Sequence, residues 1–392
     1  MPDLSTGAPE PVELTIVLPC LNEAETLAGC IEEALRTLRE LEIRGEVVVA
    51  DNGSTDGSQA IAARLGARMV PVLEKGYGYA LQAGIAAARG RYILVGDSDG
   101  SYDFTQARRF LDKLCEGWDL VMGNRFSGGV LPGAMPWKNR YIGNPVLSGI
   151  GRMFFRCGVR DFHCGLRAFT KNAFGRLDLR SGGMEFASEM VIKATLFKLR
   201  VTEIPITLRP SGRSRPSHLR PWRDGWRHLR FMLLFSPRWL FLQPGIALTA
   251  VGAILCALLV RGPLRLGSIT LDVHTLLFAA MAVLIGYQSV AFAVFTKVFA
   301  IQSGVLPSDP KFQRWFVWLN LERGLAIGAF VALAGLLMSL RAVGLWSEHS
   351  FGNLTPGELL RLVIPGGTLL TFGCEIVLTS FFLSILGLPL KR

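Results

Sequence analysis

LTIVLPCLNEAETLAGCIEEALRTLRELEIRGEVVVADNGSTDGS, residues 14–58, holds two short apolar runs with a helical pattern between them. The first run, 14–19, has the length of a strand, and residues 23–38 place apolar side chains at helical spacing. The second run, from 45, ends at Asp51 in a turn rich in Gly, Ser and Asp. Parallel neighbours in a sheet need a crossover of about a dozen residues or more, and a helix of this length supplies it. The alternation continues through QAIAARLG (59–66, helical), ARMVPVL (67–73, strand), YALQAGIAAARG (79–90, helix) and RYILVGD (91–97, strand). This order predicts an α/β fold with a parallel sheet covered by crossover helices. Ligands of such sheets bind beyond the carboxyl ends of the strands. Asp51 and Asp97 both stand at a strand end, so both are expected in the site.

Residues 91–104, RYILVGDSDGSYDF, end their apolar run in Asp97, Asp99 and Asp103. Carboxylates gathered at a strand end are costly unless a cation joins them. Mg²⁺ or Mn²⁺ takes carboxylate ligands and leaves positions open for substrate phosphates. Asp, Ser and Gly are also the residues of ordinary turns, so GDSDGS taken alone reads equally as a turn and as a metal site. Lys75, in EKGYGYA, precedes glycines that let backbone N–H groups approach phosphate, but a merely solvated lysine fits as well. That Gly-x-Gly is too weak for a dinucleotide fingerprint.

Half of the 392 residues are hydrophobic and the net charge is +11, with a positive mean hydropathy. Such a composition excludes both an ordinary soluble enzyme and a pure membrane bundle. Charged residues recur up to about Arg238, and beyond it four apolar stretches of bilayer-spanning length are expected at about 239–260, 274–300, 324–345 and 359–388. The chain therefore divides into an aqueous domain (1–210), a juxtamembrane segment (211–238) and an all-α transmembrane region (239–392). In LRPWRDGWRHLRFMLLF, Trp222, Trp226, Leu229 and Leu233 share one helical face, with Arg223, Arg227 and Arg230 toward a flank. This predicts an amphipathic helix at the membrane interface, or a plain juxtamembrane anchor. MPDLSTGAPEPVE has no basic start followed by an apolar core, so the first 200 residues are expected to remain unexported. The arginines from Arg209 to Arg238 crowd the approach to the first span and place that side in the cytoplasm, with the basic excess assigned to the membrane rather than to nucleic acid.

VLPCLNEAETL, VVADNGSTDGS, EKGYGYALQAGIAAARGRYILVGDSDG and VMGNRF occur in this order, and together they resemble glycosyltransferase family 2 over about Leu14 to Arg215. RDFHCGLRAF, MEFASEM and EIPITLRPSGRSR narrow the resemblance to its dolichyl- or polyprenyl-phosphate hexose synthase branch. The resemblance implies a GT-A, Rossmann-like nucleotide-sugar domain and transfer of a hexose from a GDP-mannose or UDP-glucose type donor to polyprenyl phosphate. It implies that Pro19, Glu23, Asp51, Lys75, Ser98 and Ser101 line the nucleotide sugar. Asp97 and Asp99 would lie by the diphosphate as metal ligands, and Arg125, Arg209 and Arg215 would face phosphate oxygens. The chain departs from the family pattern at Leu21, Asn52, Ser98, Ser101 and Arg215, which leaves nucleotide and sugar open.

The chemistry suits these residue types. A divalent ion and Arg donors stabilise the charge that develops on a leaving diphosphate. A lipid phosphate is already ionised at neutral pH and needs no enzyme base, so a single inverting displacement is expected. Processive relatives carry an acidic E-D motif and Q-x-x-R-W; here Met190 follows Glu189, and Gln313-Arg314-Trp315 has another spacing. Alternative readings are transfer to another lipid such as a diacylglycerol, and a noncatalytic nucleotide-binding translocator or scaffold; a homo-oligomer is compatible with each. Seven cysteines without a C-x-x-C pair read as reduced thiols, and Cys157, His163 and Cys164 lack the fourth ligand and spacing of a zinc site. Glu375 lies deep in the fourth span, where hydrogen bonding within the bundle is favoured over a functional role.

Overall fold

The computed structural model of the chain describes residues 12–215, 220–312, 314, 320–352 and 356–387. It divides into two compact units, Met1–Phe235 and Ser236–Arg392. In the first, β1 (Leu14–Cys20), α1 (Leu27–Glu40), β2 (Gly45–Asp51), α2 (Ser58–Arg64), β3 (Arg68–Pro71), α3 (Tyr77–Ala87) and β4 (Tyr92–Val95) keep the order read from the sequence. Then come α4 (Ala107–Cys115), β5 (Leu120–Asn124), the one-turn α5 (Arg125–Gly128), α6 (Asn144–Phe155) and β6 (Arg167–Thr170). The unit closes with α7 (Lys171–Leu177), α8 (Phe186–Leu196), β7 (Val201–Pro205) and α9 (Pro221–Leu234).

The seven strands form one sheet in the order β3-β2-β1-β4-β6-β5-β7. β1 to β4 pair in parallel and β5 pairs in parallel with β7, but β6 runs antiparallel to both β4 and β5. The four strands read from the sequence thus pair in parallel as expected, and β6, which the sequence pattern did not show, makes the sheet mixed. RAFT is four residues long and carries Arg167, so it lacks the apolar run that marks a buried strand; the arginine is nevertheless 1% exposed, its guanidinium donating to the carbonyls of Cys164 and Ala187.

Side chains alternate across the sheet and build a core on each face. Ile16, Leu18, Val47, Val49 and Leu94 meet α1 and α4 on one side. Val17, Val48, Ile93 and Val95 meet Leu81 and Ile85 of α3, Met190 of α8 and Met232 of α9 on the other. The compact unit thus takes in most of the segment that the sequence set apart as juxtamembrane. Register places Cys20 beside Asp51 and Val17 beside Val95, so β1, β2 and β4 end on one edge, where β5 also ends.

In the second unit, α10 (Gln243–Leu259), the hairpin β8 (Leu264–Leu266) and β9 (Ile269–Leu271), α11 (Val273–Gln302), α12 (Leu321–Glu348) and α13 (Pro356–Leu386) follow. Among the described residues four helices are long and apolar enough to span a bilayer: Arg238–Leu259, Val273–Gln302, Leu321–Glu348 and Leu359–Leu386, within a few residues of the expected stretches. Close backbone approach sets their pairing. A Cβ at Gly252 would come within 2.6 Å of the Ala279 carbonyl, and one at Gly335 within 2.7 Å of the Gly366 carbonyl, as expected of small residues between membrane helices. Glu375 Oε1 accepts from Gln288 Nε2 at 2.8 Å, tying α13 to α11, which fits the structural role. Gln313 and Trp315 lie outside the described residues.

Candidate active site

The loops that leave the shared strand edge carry the polar side chains. After β4, Asp97 accepts a hydrogen bond from the Tyr77 hydroxyl at 2.9 Å. Its carboxyl is pushed up to about 6, first by burial and next by the charge of Asp99, with Tyr77, Arg213 and Arg167 pulling the other way. Asp99 Oδ1 accepts from the Ser101 amide at 3.0 Å and from its hydroxyl at 2.5 Å, while Asp99 Oδ2 faces Arg213 Nη2 at 3.3 Å. Ser98 turns inward: it is 2% exposed and donates to the Pro19 carbonyl at 2.7 Å, so both residues brace β4 against β1.

After β1, Glu23 is buried and paired to Arg213 Nε at 2.8 Å and to Arg215 Nη2 at 3.1 Å. Burial raises its carboxyl, and the two arginines oppose the rise. After β2, Asp51 closes its own turn, taking the amides of Gly53 and Ser54 at 3.2 Å and Gln59 Nε2 at 2.8 Å. Lys75 donates to the Asn52 carbonyl at 2.6 Å, and Asn52 Oδ1 takes the Gly76 amide at 2.8 Å; this pins the β2 loop to the start of α3. After β5, Arg125 is buried and grips Asp161 with two bonds of 2.7 Å.

A cleft of about 370 Å³ brings together Asp97, Asp99, Ser101, Arg125 and Arg215 from the expected set. Pro19, Glu23, Asp51, Lys75, Ser98 and Arg209 do not line it. Arg209 is turned aside, its guanidinium held by Asp103 at 2.5 Å and by Glu33 at 3.2 Å. The sequence reading missed Tyr77, Arg167, His163 and Arg213, which line the cleft, and Asp161, which holds Arg125. RDFHCGLRAF was the available signal for three of them.

Beyond these, Ser188 Oγ lies 2.8 Å from His228 Nδ1 and 3.4 Å from His163 Nε2. Burial, above all, pushes the His228 imidazole down to about 4 and that of His163 well below its usual range, so both are neutral near pH 7.

Among the described residues no third His, Cys, Asp or Glu joins Asp97 and Asp99 in a metal-holding group. Two carboxylates fit a hard divalent ion that keeps most of its shell for water and substrate oxygens.

The family model for glycosyl transferase family 2 matches residues 15–178, and that for the glycosyltransferase family 2 C-terminal transmembrane region matches residues 294–387. The low-salt glycan biosynthesis hexosyltransferase Agl6 of Haloferax volcanii is 37% identical over 376 residues, which cover 95% of this chain and 89% of the relative. The chain belongs to glycosyltransferase family 2. Its four apolar helices and the matched transmembrane region make this family 2 glycosyltransferase an integral membrane protein. A second relative, the dolichyl-phosphate hexose transferase of Haloferax volcanii, is 27% identical over 213 residues, covering 54% of this chain and 89% of its own. Among solved structures, glucosyl-3-phosphoglycerate synthase from Mycobacterium tuberculosis, crystallised with Mn²⁺, UDP and glucosyl-3-phosphoglycerate, is similar with a TM-score of 0.44 and 21% identity, over 57% of this chain and 78% of that one.

Proposed function

We propose that this family 2 glycosyltransferase transfers one hexose, with inversion, from a nucleotide sugar to polyprenyl phosphate at the cytoplasmic face of the membrane. The observation that carries the reading is the mixed charge of one cleft, which Asp97 and Asp99 line together with Arg125, Arg213 and Arg215. Carboxylates alone would repel a diphosphate, and arginines alone would leave its leaving charge without a metal. Asp97 and Asp99 would hold Mg²⁺ or Mn²⁺, which when bound neutralises charge on the departing diphosphate. Arg215 and Arg213 donate to phosphate oxygens, and Arg125, stiffened by Asp161, presents a fixed planar donor set to an anion. Tyr77 holds Asp97 in place by its hydroxyl.

An ionised phosphate acceptor needs no proton removed. Glu189, the acid in the segment where processive relatives place a base, is 2% exposed, accepts the Ser181 amide at 2.8 Å and pairs with Lys193 at 2.8 Å. It is thus committed to the fold. The dense positive charge before the first span supports the cytoplasmic orientation.

The test incubates purified protein with UDP-glucose or GDP-mannose, Mg²⁺ or Mn²⁺, and polyprenyl phosphate beside polyprenol and diacylglycerol, followed by mass spectrometry of the lipids. Product on the phosphate alone is expected, with inverted anomeric configuration. Asp99→Asn should lower transfer by a hundredfold or more, on the order of the several kcal/mol a bound ion supplies. Product formed only on a hydroxyl lipid would defeat the proposal.

A further inference from the structure

Residues Arg209–Arg215 form a strap laid over the loops that follow β1 and β4. Its backbone is fixed by the Arg209 amide on the Ser101 carbonyl and the Gly212 amide on the Asp99 carbonyl, each at 2.9 Å. The Ser214 amide is bound to Glu25 at 2.7 Å. Its cations are held by carboxylates: Arg209 by Glu33 and Asp103, Arg213 by Glu23 and Asp99, Arg215 by Glu23. The residue between the motif's Gly212 and Ser214 is Arg213, and its side chain is only 13% exposed.

The two oxygens of Asp99 are not equivalent. Oδ1 is taken by the amide and hydroxyl of Ser101, which leaves Oδ2 for a cation; there the guanidinium of Arg213 stands at 3.3 Å. A divalent ion with small, near-octahedral coordination needs that same oxygen at about 2.1 Å, together with space for its remaining ligands. Two cations sharing one carboxylate oxygen also repel.

We infer that Arg213 and a divalent cation exclude each other at Asp99, the arginine holding the carboxylate while no donor is bound and moving to the donor's diphosphate when the cation takes its place. The inference rests on the metal assignment proposed above. Arg213 is built for the exchange because it has two anchors of different strength. Nε is bound to the 5% exposed Glu23 at 2.8 Å, whereas Nη2 meets Asp99 at the longer 3.3 Å. Rotation about the Glu23 contact frees Asp99 without releasing the strap. The swap conserves charge pairing: Asp99 trades a guanidinium for a metal ion, and Arg213 trades a carboxylate for a phosphate, so neither group is left unpaired. Arg213 thus serves the carboxylate in one state and the substrate phosphate in the other. It keeps metal affinity low until nucleotide arrives.

The experiment measures Mn²⁺ binding to the full-length protein in detergent by electron paramagnetic resonance of the free ion, with and without UDP. Without UDP, Arg213→Gln is expected to bind Mn²⁺ about tenfold or more tightly than wild type, the typical size of a lost charge-assisted contact. Arg213→Lys, which keeps a cation there, should stay near wild type. UDP should tighten Mn²⁺ binding strongly in wild type and weakly in Arg213→Gln. Asp99→Asn should abolish binding in either background. If Arg213→Gln binds no more tightly than wild type while Asp99→Asn still loses the ion, the metal assignment stands and the exclusion falls. Equal tightening by Gln and Lys overturns it too, since loosening of the strap would then be the cause. Binding unchanged by Asp99→Asn overturns the metal assignment and the inference together.

Discussion

Glu189 shows how one residue's surroundings decide between two chemistries. It accepts the amide of Arg180 at 3.1 Å and that of Ser181 at 2.8 Å, and it pairs with Lys193, itself bound to the Asp178 carbonyl at 2.6 Å. The loop it fixes then lies against α3. The Gly182 carbonyl takes the Gly78 amide at 2.9 Å, and a Cβ at Gly76, whose φ is +155°, would come within 2.2 Å of that carbonyl. From there Tyr77 reaches Asp97. Glu189 therefore supports the site through backbone. Glu189→Gln should lower the thermal midpoint, by the equivalent of about 1–3 kcal/mol for a disturbed buried charge pair, while transfer to polyprenyl phosphate falls far less than the roughly 10²- to 10⁴-fold of a lost general base. Parallel melting curves and rate measurements check both halves. At this scale the sequence was legible where a residue type implied its own task. Asp97 and Asp99 could be found at a strand end, but the partners that decide each side chain's use lie far away in the chain: Arg125 with Asp161, Glu23 with Arg213.

α9 was expected as an interfacial helix from its tryptophans, and its outer face agrees: Trp222 is 89% and Trp226 58% exposed. Its inner face was hidden from pattern reading because it is partly polar. Asp224, His228 and Met232, four residues apart, are buried, and Phe231 and Phe235 pack on the core. An apolar-stripe rule finds the exposed face with its indoles and overlooks a face whose polar groups find protein partners, as His228 finds Ser188. The two faces make α9 a part of the catalytic unit that also presents indoles and arginines outward. A fragment ending at Phe235 should float with vesicles containing anionic lipid, and Trp222→Ala with Trp226→Ala should weaken that binding about tenfold or more. Added salt should weaken it further through Arg223, Arg227 and Arg230. Binding insensitive to both changes would show that α9 serves only the protein core. β6 is the opposite case: too short and too polar to be seen, it appears only when its neighbours are in place.

For the whole molecule, composition alone divided the aqueous half from the membrane half, because twenty apolar residues in a row have few other uses. Orientation can be read through a single thiol. Cys115, at the end of α4, is exposed, whereas Cys20, Cys30 and Cys164 are buried. A membrane-impermeant maleimide should label it in inside-out vesicles and leave it unlabelled in intact cells, with Cys115→Ser as the control; labelling of intact cells would reverse the proposed topology. The antiparallel strand also bears on how the chain is made. β1 to β4 can pair with one another as they leave the ribosome, but β5 takes its neighbours from β6 and β7, whose residues begin at Arg167 and Val201. At a synthesis rate of roughly 5–20 residues per second, the apolar edge of β5 waits on the order of 2–9 s for β6. During that interval the nascent chain offers an unpaired strand edge to any other chain nearby. Slow decoding between Asn124 and Arg167 would lengthen that exposure, which makes this stretch of the message the one where translation speed bears most directly on yield.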